Sequence, residues 1–134
     1  MARRAECYVD TSAFIAFLDR SDSYHPLFRR LFSSPPALAT SCLVVVEGHG
    51  WFLRRYDSRR AVEFLNFIAA LAPLGIVPFN DEELHKARAI VARFHNQDLT
   101  LADAHGLAIM SERKHATCWS TDRHLSLTGV TLAT

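Results

Sequence analysis

Charge of one sign is what this chain most lacks. Fifteen lysines and arginines stand against 14 aspartates and glutamates, leaving +1 with histidine neutral. A strongly basic whole-protein field for polyanions is therefore excluded, and any grip on nucleic acid has to come from a local patch. No apolar run approaches the ~20 residues that span a bilayer. The seven histidines and three cysteines form no Cys-x-x-Cys, His-x-x-His or His-x-x-x-His pair, which argues against zinc. Cys7, Cys42 and Cys118 are odd in number and widely spaced, as expected of buried free thiols in a reducing compartment. Arg3-Arg4 does not open a secretory signal, because Glu6 and Asp10 interrupt what should be an apolar region. Internal repeats, low-complexity segments and linkers are missing too. The expectation is a soluble, cytoplasmic protein with no membrane association, a single domain over 1–134. Its apolar fraction of 49% is enough for a core without staples.

What is present is an alternation of short apolar runs with helical stripes. Cys7-Tyr8-Val9 reads as a buried strand, followed by a helix capped by Thr11 or Ser12. Ser23 caps a second helix, with Pro26 in its first turn and Leu27, Phe28, Leu31 and Phe32 as its apolar stripe. Residues 37–40 form a second strand, and Ser41 opens a long helix over 42–56. Asp57-Ser58 caps a helix over 59–70 with Val62, Leu65 and Ala69 inward. Ile76-Val77 is a third strand. Asn80 and Glu83 make a capping box for a helix reaching about 95. Thr100 opens a helix over 101–114, a fourth strand covers 117–120, and 130–132 makes a fifth at the edge. Strands alternating with helices, and no hairpin signal, predict an α/β/α sandwich around a parallel sheet of four to five strands.

Four carboxylates fall in comparable places. Asp10 ends the first strand and Asp122 the fourth. Glu47 lies in the helix after the second strand, on one face with Leu43, Val44, Gly50, Trp51 and Arg54. Asp103 lies in the first turn of the helix before the fourth strand. In a parallel sheet, strand ends and the helix starts that follow them collect at one edge. Each residue alone has an ordinary account: Asp10 and Asp122 as turn residues, Asp103 in a cap with Thr100, Glu47 paired with Arg54 or Arg88. Together they form an all-oxygen set. Such sets suit hard divalent ions, which act on phosphate esters by activating water. Burying them without a cation is costly.

The segments Val9-Asp10-Thr11-Ser12-Ala13, Glu47, Asp98-Leu-Thr-Leu-Ala-Asp103-Ala104 and Ser120-Thr121-Asp122-Arg123-His124 together resemble the PIN-domain nucleases, and within them the VapC-type toxins. The order and spacing agree over nearly the whole chain. The resemblance implies a single-strand ribonuclease using Mg²⁺ or Mn²⁺, cutting by metal-activated water to leave a 5′-phosphate and a 3′-hydroxyl. Asp10, Glu47 and Asp103 match the family's most regular acidic positions and Asp122 a more variable one. Thr11 and Thr121 match hydroxyl positions supporting the cluster, and Asp98 an acidic position many relatives carry nearby. A homodimer and a small VapB-like antitoxin, whose C-terminal segment occludes the site, are also implied. The rivals are a PIN nuclease of RNA processing or structured DNA, and a PIN-like module that binds without cutting.

Arg54, Arg55, Arg59 and Arg60 cluster at one helix junction and read either as a solvated face or as a rail for RNA phosphates. His49 and His105 each follow an acidic position by two residues, which turns them to another helical face. They are expected to be supporting or surface groups, and His124 a surface group. Trp51 and Trp119 are expected in the core. Gly48 and Gly50 weaken the helix carrying Glu47 by up to ~1 kcal/mol each, unless a second helix packs closely there or Glu47 is mobile.

Overall fold

The computed structural model describes residues 5–134, so the Arg3-Arg4 pair lies outside the described residues. Along the chain run β1 (Cys7–Val9), α1 (Thr11–Leu18), α2 (His25–Ser33), β2 (Leu38–Ser41), α3 (Cys42–Arg55) and α4 (Ser58–Ala70). They are followed by β3 (Leu74–Val77), α5 (Asp81–Arg93), α6 (Leu101–Arg113), β4 (Thr117–Trp119) and β5 (Thr131–Leu132). The five strands form one all-parallel sheet in the order β3-β2-β1-β4-β5. The chain winds outward from β1 to one edge, then returns to β4 on the other side of β1. The break between β1 and β4 is a topological switch point, where open parallel sheets leave a crevice beyond the strand ends. Among the described residues, no helix is long and apolar enough to cross a membrane.

Strand alternation sorts the core into two layers. Val9 and Trp119 face one side with Phe14, Phe28, Phe32, Val44, Phe52 and Phe64, so α1 to α4 cover that face. Tyr8 and Cys118 face the other with Leu107, Met110 and Leu125, under α6. This is the three-layer α/β/α arrangement expected. Aromatic rings carry much of the first layer: Phe32 meets Trp119 edge-on at 5.0 Å, and Phe14 meets Phe64 edge-on at 6.1 Å. Such pairs add roughly 0.5–1.5 kcal/mol each beyond the area they bury.

Several local expectations change. Ser23 does not cap α2; its N-cap position is Tyr24, and Asp22 accepts the Tyr24 N–H at 2.8 Å instead. Asp10, not Thr11 or Ser12, occupies the N-cap position of α1, and its side chain makes no capping bond there. On α4 the buried face is Ala61, Phe64 and Ile68, while Val62 and Leu65 are 49% and 38% exposed. Both faces are apolar, and the larger Phe64 ring takes the core. Asn80 does accept the Glu83 N–H at 3.0 Å, but the Glu83 carboxylate turns away to His105 and Lys86.

Phe64 also explains one of the two helix glycines. A Cβ at Gly48 would overlap the Phe64 ring, so close packing of α4 on α3 requires glycine there. At Gly50 the nearest atom to an added Cβ is Nη1 of the Arg54 guanidinium at 2.9 Å, which can swing aside. Gly48→Ala is therefore expected to destabilise the fold by ~1–3 kcal/mol through overpacking. Gly50→Ala should be neutral or stabilise by up to ~1 kcal/mol. Urea unfolding of the two variants checks this; equal effects would contradict the assignment.

Candidate metal centre

β1 and β4 end side by side at the switch point, the Asp10 N–H donating to the Trp119 carbonyl at 3.0 Å. Two serines tie the strand ends together. Ser12 and Ser120 each donate a hydroxyl to Asp10 Oδ2 at 3.0 Å. Ser12 Oγ accepts the Thr121 N–H at 3.0 Å, and Ser120 Oγ accepts the Asp122 N–H at 2.9 Å. Asp10 is 5% exposed and joins no ion pair among the described residues. Burial pushes its carboxyl up to about 6, against the pull of the two serine hydroxyls and the Thr11 backbone; the nearby Asp103 charge adds to the rise.

Asp103 is held from the other side. Thr100 and Asp103 form a reciprocal capping box at the start of α6, with Asp103 N–H to Thr100 Oγ1 at 3.1 Å and Thr100 N–H to Asp103 Oδ2 at 3.2 Å. The cap and the inward-facing readings are both correct, for Asp103 is also buried. Burial raises its carboxyl, and the Asp122 charge reinforces the rise. Asp122 begins the 3-10 turn Arg123–Ser126 and accepts the His124 N–H at 2.9 Å. One ligand atom each from Asp103, Asp122 and His124 lie within 4.8 Å of one another. His124 Nδ1 is 3.2 Å from Asp122 Oδ1 and 4.0 Å from Asp103 Oδ2. His124 therefore belongs to the cluster and is not merely a surface group.

The remaining sequence candidates are placed as follows. Glu47 is exposed and joins no hydrogen bond or ion pair among the described residues; the buried stripe of α3 is Val44, Gly48 and Phe52 instead. It rides on α3, which packs against α6, but stands outside the tight group. Thr11 Oγ1 is buried without a partner, and Thr121 contributes its backbone to Ser12 rather than a hydroxyl to Asp10. Asp98 is exposed, at a φ of 53° in the turn after His95–Gln97. His105 is fully buried rather than on the surface, bridging Ser41 Oγ at 2.6 Å and Glu83 Oε1 at 3.1 Å. Sequence reasoning missed Ser12 and Ser120, although each lies two residues from a proposed ligand. It also missed that His124 turns back onto Asp122.

The donors suit a divalent cation. Buried or half-buried carboxylates face one another, and among the described residues His124 is the only basic group in ion-pair range of Asp103 or Asp122. Carboxylates left so are costly without a cation. Asp103 and Asp122 offer carboxylate oxygens, the donor type that hard divalent ions take, while Asp10 lies outside the group of ligand atoms within 4.8 Å of one another.

Residues 7–130 match the model of the PIN domain. A search of curated protein sequences finds no relative. Among solved structures, the fold is similar to that of the sarcin–ricin loop cleaving toxin VapC20 of Mycobacterium tuberculosis, with TM-score 0.84 and 23% identity over 93% of this chain and 96% of that one. It is also similar to a chain of a toxin–antitoxin complex from Klebsiella pneumoniae, with TM-score 0.63 and 17% identity over 96% of each. A chain of the Rickettsia felis VapBC2 complex, bound to a DNA fragment from its promoter, aligns with TM-score 0.63 and 13% identity over 95% of this chain and 96% of that one. At these identities the likeness is one of fold.

The raised Asp10 carboxyl has a consequence for stability. Its folded value of about 6 lies above the value of ~3.9 it has when unfolded. The folded state thus holds the proton longer, and stability falls as pH rises from about 4 to about 6. In EDTA the loss is expected to reach roughly 3 kcal/mol above that range. Asp10→Asn, neutral throughout, should unfold at higher urea than the parent at pH 7.5, with the advantage fading below pH 4. A constant difference across pH would contradict the burial of a charged Asp10.

Proposed function

The chain belongs to the PIN domain family, and from that premise we propose that it is a metal-dependent single-strand endoribonuclease of the VapC toxin type, restrained by a small antitoxin. The observation that supports the reading is the grouping of Asp103, Asp122 and His124 within 4.8 Å, close enough to the buried Asp10 for the Asp103 charge to raise its carboxyl, with no lysine or arginine paired to these acids among the described residues. These acids would hold Mg²⁺ or Mn²⁺, with Glu47 reaching the same edge from α3. A divalent ion bound there would lower the pKa of a water and offset the charge of the scissile phosphate.

The residues themselves do the positioning. Ser12 and Ser120 lock Asp10, Thr100 locks Asp103, and the His124 N–H locks Asp122. No side-chain nucleophile is needed. Water attacks phosphorus, the P–O3′ bond breaks, and a 5′-phosphate and a 3′-hydroxyl result. The name of the Mycobacterium tuberculosis protein, a sarcin–ricin loop cleaving toxin, makes that loop the first defined substrate to offer. The likeness to chains of toxin–antitoxin complexes supports a protein partner. Exposed apolar side chains on α3 and α4, among them Val46, Leu53, Val62 and Leu65, support a homodimer.

The arginine rail divides in two. Arg60 donates to the Leu18 carbonyl at 3.0 Å and lies 4.5 Å over the Tyr56 ring, whose hydroxyl bonds Asp19 at 2.9 Å. It is built into the junction of α1, α3 and α4. Arg59 pairs with Glu63 at 3.3 Å. Arg54 and Arg55 are exposed and are the better candidates for RNA phosphates.

Purified protein free of antitoxin should cut total RNA into discrete fragments with Mg²⁺ or Mn²⁺ and not with EDTA. Asp10→Asn and Asp103→Asn should each lose more activity than the ~10–100-fold typical of outer-shell partners. No cleavage by folded protein under any divalent ion would replace this reading with a binding module. Arg54→Ala with Arg55→Ala is expected to weaken RNA binding across sequences and flatten the salt dependence by up to ~1.4 in log–log slope. Arg60→Ala should instead lower the unfolding midpoint. A double variant that changed only the choice of cleavage site would count against the rail.

A further inference from the structure

The cluster on α6 and the turn after β4 contains a donor unlike its neighbours. His124 presents Nδ1 at 3.2 Å from Asp122 Oδ1 and 4.0 Å from Asp103 Oδ2. Two ligands at ~2.1 Å from one ion and at right angles to each other stand about 3 Å apart. The Asp122–His124 separation, which is also that of a direct ion pair, fits adjacent ligands on a shared cation. The ring is also placed on a braced element. His124 N–H donates to Asp122, its carbonyl accepts the Leu127 N–H at 3.2 Å, and the next residue, Leu125, is fully buried. The imidazole is half-exposed and so needs no desolvation to meet an ion arriving from solvent.

We propose that His124 is a nitrogen ligand that makes the Asp103–Asp122 site a mixed oxygen–nitrogen seat, selecting first-row transition ions over Mg²⁺. The proposal rests on the reading of this cluster as a metal centre. Mg²⁺ keeps to oxygen ligands and its own waters, whereas imidazole suits later transition metals. An all-carboxylate site gains little from Mn²⁺ to Ni²⁺, whereas a site with one imidazole follows that order steeply.

The test uses the full chain free of partner, with metal ions alone as probes. Mn²⁺ bound to the parent should show ¹⁴N modulation from a directly coordinated imidazole in pulsed electron paramagnetic resonance. His124→Gln should bind Mn²⁺ without it, and the exposed-histidine control His95→Ala should keep it. By calorimetry, His124→Ala should weaken Co²⁺ or Ni²⁺ at least tenfold while Mg²⁺ changes less than twofold. Thermal melts of the metal-free variants establish that they fold. Mn²⁺ bound without nitrogen coupling, or equal losses for Mg²⁺ and Co²⁺, would overturn the ligand role. So would a joint gain in affinity on removing His124, which would make the ring a mere counter-charge. Each of those results leaves metal-dependent RNA cleavage standing. No Mn²⁺ uptake at millimolar concentration would overturn both readings.

Discussion

One buried carboxylate organises the edge of this sheet. Asp10 follows β1 directly, so the hydrogen bond from its own backbone to Trp119 fixes it beside the end of β4. Its side chain is buried, and among the described residues no lysine or arginine pairs with it. Hydroxyls are the remaining donors, and they come as a pair. Ser12 and Ser120 each give a proton to Asp10; Ser12 also takes the Thr121 N–H from the opposite segment, and Ser120 the Asp122 N–H of its own turn. Two of these bonds, Ser120 to Asp10 and Thr121 N–H to Ser12, clamp the start of α1 to the turn after β4. Moving either strand end would therefore unseat the carboxylate as well.

A second polar connection holds the helices against this edge. His105 lies fully buried in α6, two residues past Asp103, and reaches the hydroxyl of Ser41. That hydroxyl is itself the N-cap of α3, accepting the Leu43 N–H at 2.9 Å. On its far side the imidazole meets Glu83 of α5, which Lys86 and then Glu112 of α6 extend toward solvent. Ser41 Oγ at Nδ1 and Glu83 Oε1 at Nε2 give both ring nitrogens a partner. Serine, histidine and glutamate in this order resemble a hydrolytic triad. Ser41 and His105 are fully buried, and the Ser41 oxygen is already engaged by a backbone N–H, so the set is a brace. It sets the spacing of the helix bearing Asp103 against the helix bearing Glu47.

What the sequence showed of this, and what it hid, divides along physical lines. The parallel sheet and the layer count followed from alternation of apolar runs with helical stripes, because burial on two faces leaves a continuous signal; the order of strands in the sheet did not. Asp10 and Asp122 stood out as carboxylates after apolar runs, and Asp103 as an acid in a helix's first turn three residues past Thr100. Ser12 and Ser120 were not, because a serine after a strand looks the same whether it caps a helix, turns a loop or holds an acid. The faces of α4 were misjudged because Val62 and Leu65 are as apolar as the residues that are buried, and periodicity cannot rank two adjacent apolar faces. Only the bulk of Phe64, fitted against Gly48, decides between them. His105 was left between a supporting and a surface group for a related reason, and it lies fully buried between Ser41 and Glu83. Helical geometry turned it away from Asp103, but could not say that the other face is buried as well.

The burial of Asp10 and the exposure of Glu47 are two solutions to one electrostatic problem. Carboxylates brought together repel, and the cost grows as the surrounding dielectric falls. Asp10 sits where that cost is highest, and its hydroxyl partners and raised affinity for a proton are the response. Asp103 and Asp122 are graded outward from it, Asp103 buried at a helix start and Asp122 half-exposed on a short turn beside an imidazole. Glu47 stands in water, where a charge costs nothing to keep and the side chain is free to move. A cation entering this edge would thus offset the charge of acids at three depths, the deepest being Asp10, where an unpaired charge costs most. The depth gradient, rather than the mere number of acids, distinguishes this edge from a patch of surface charge.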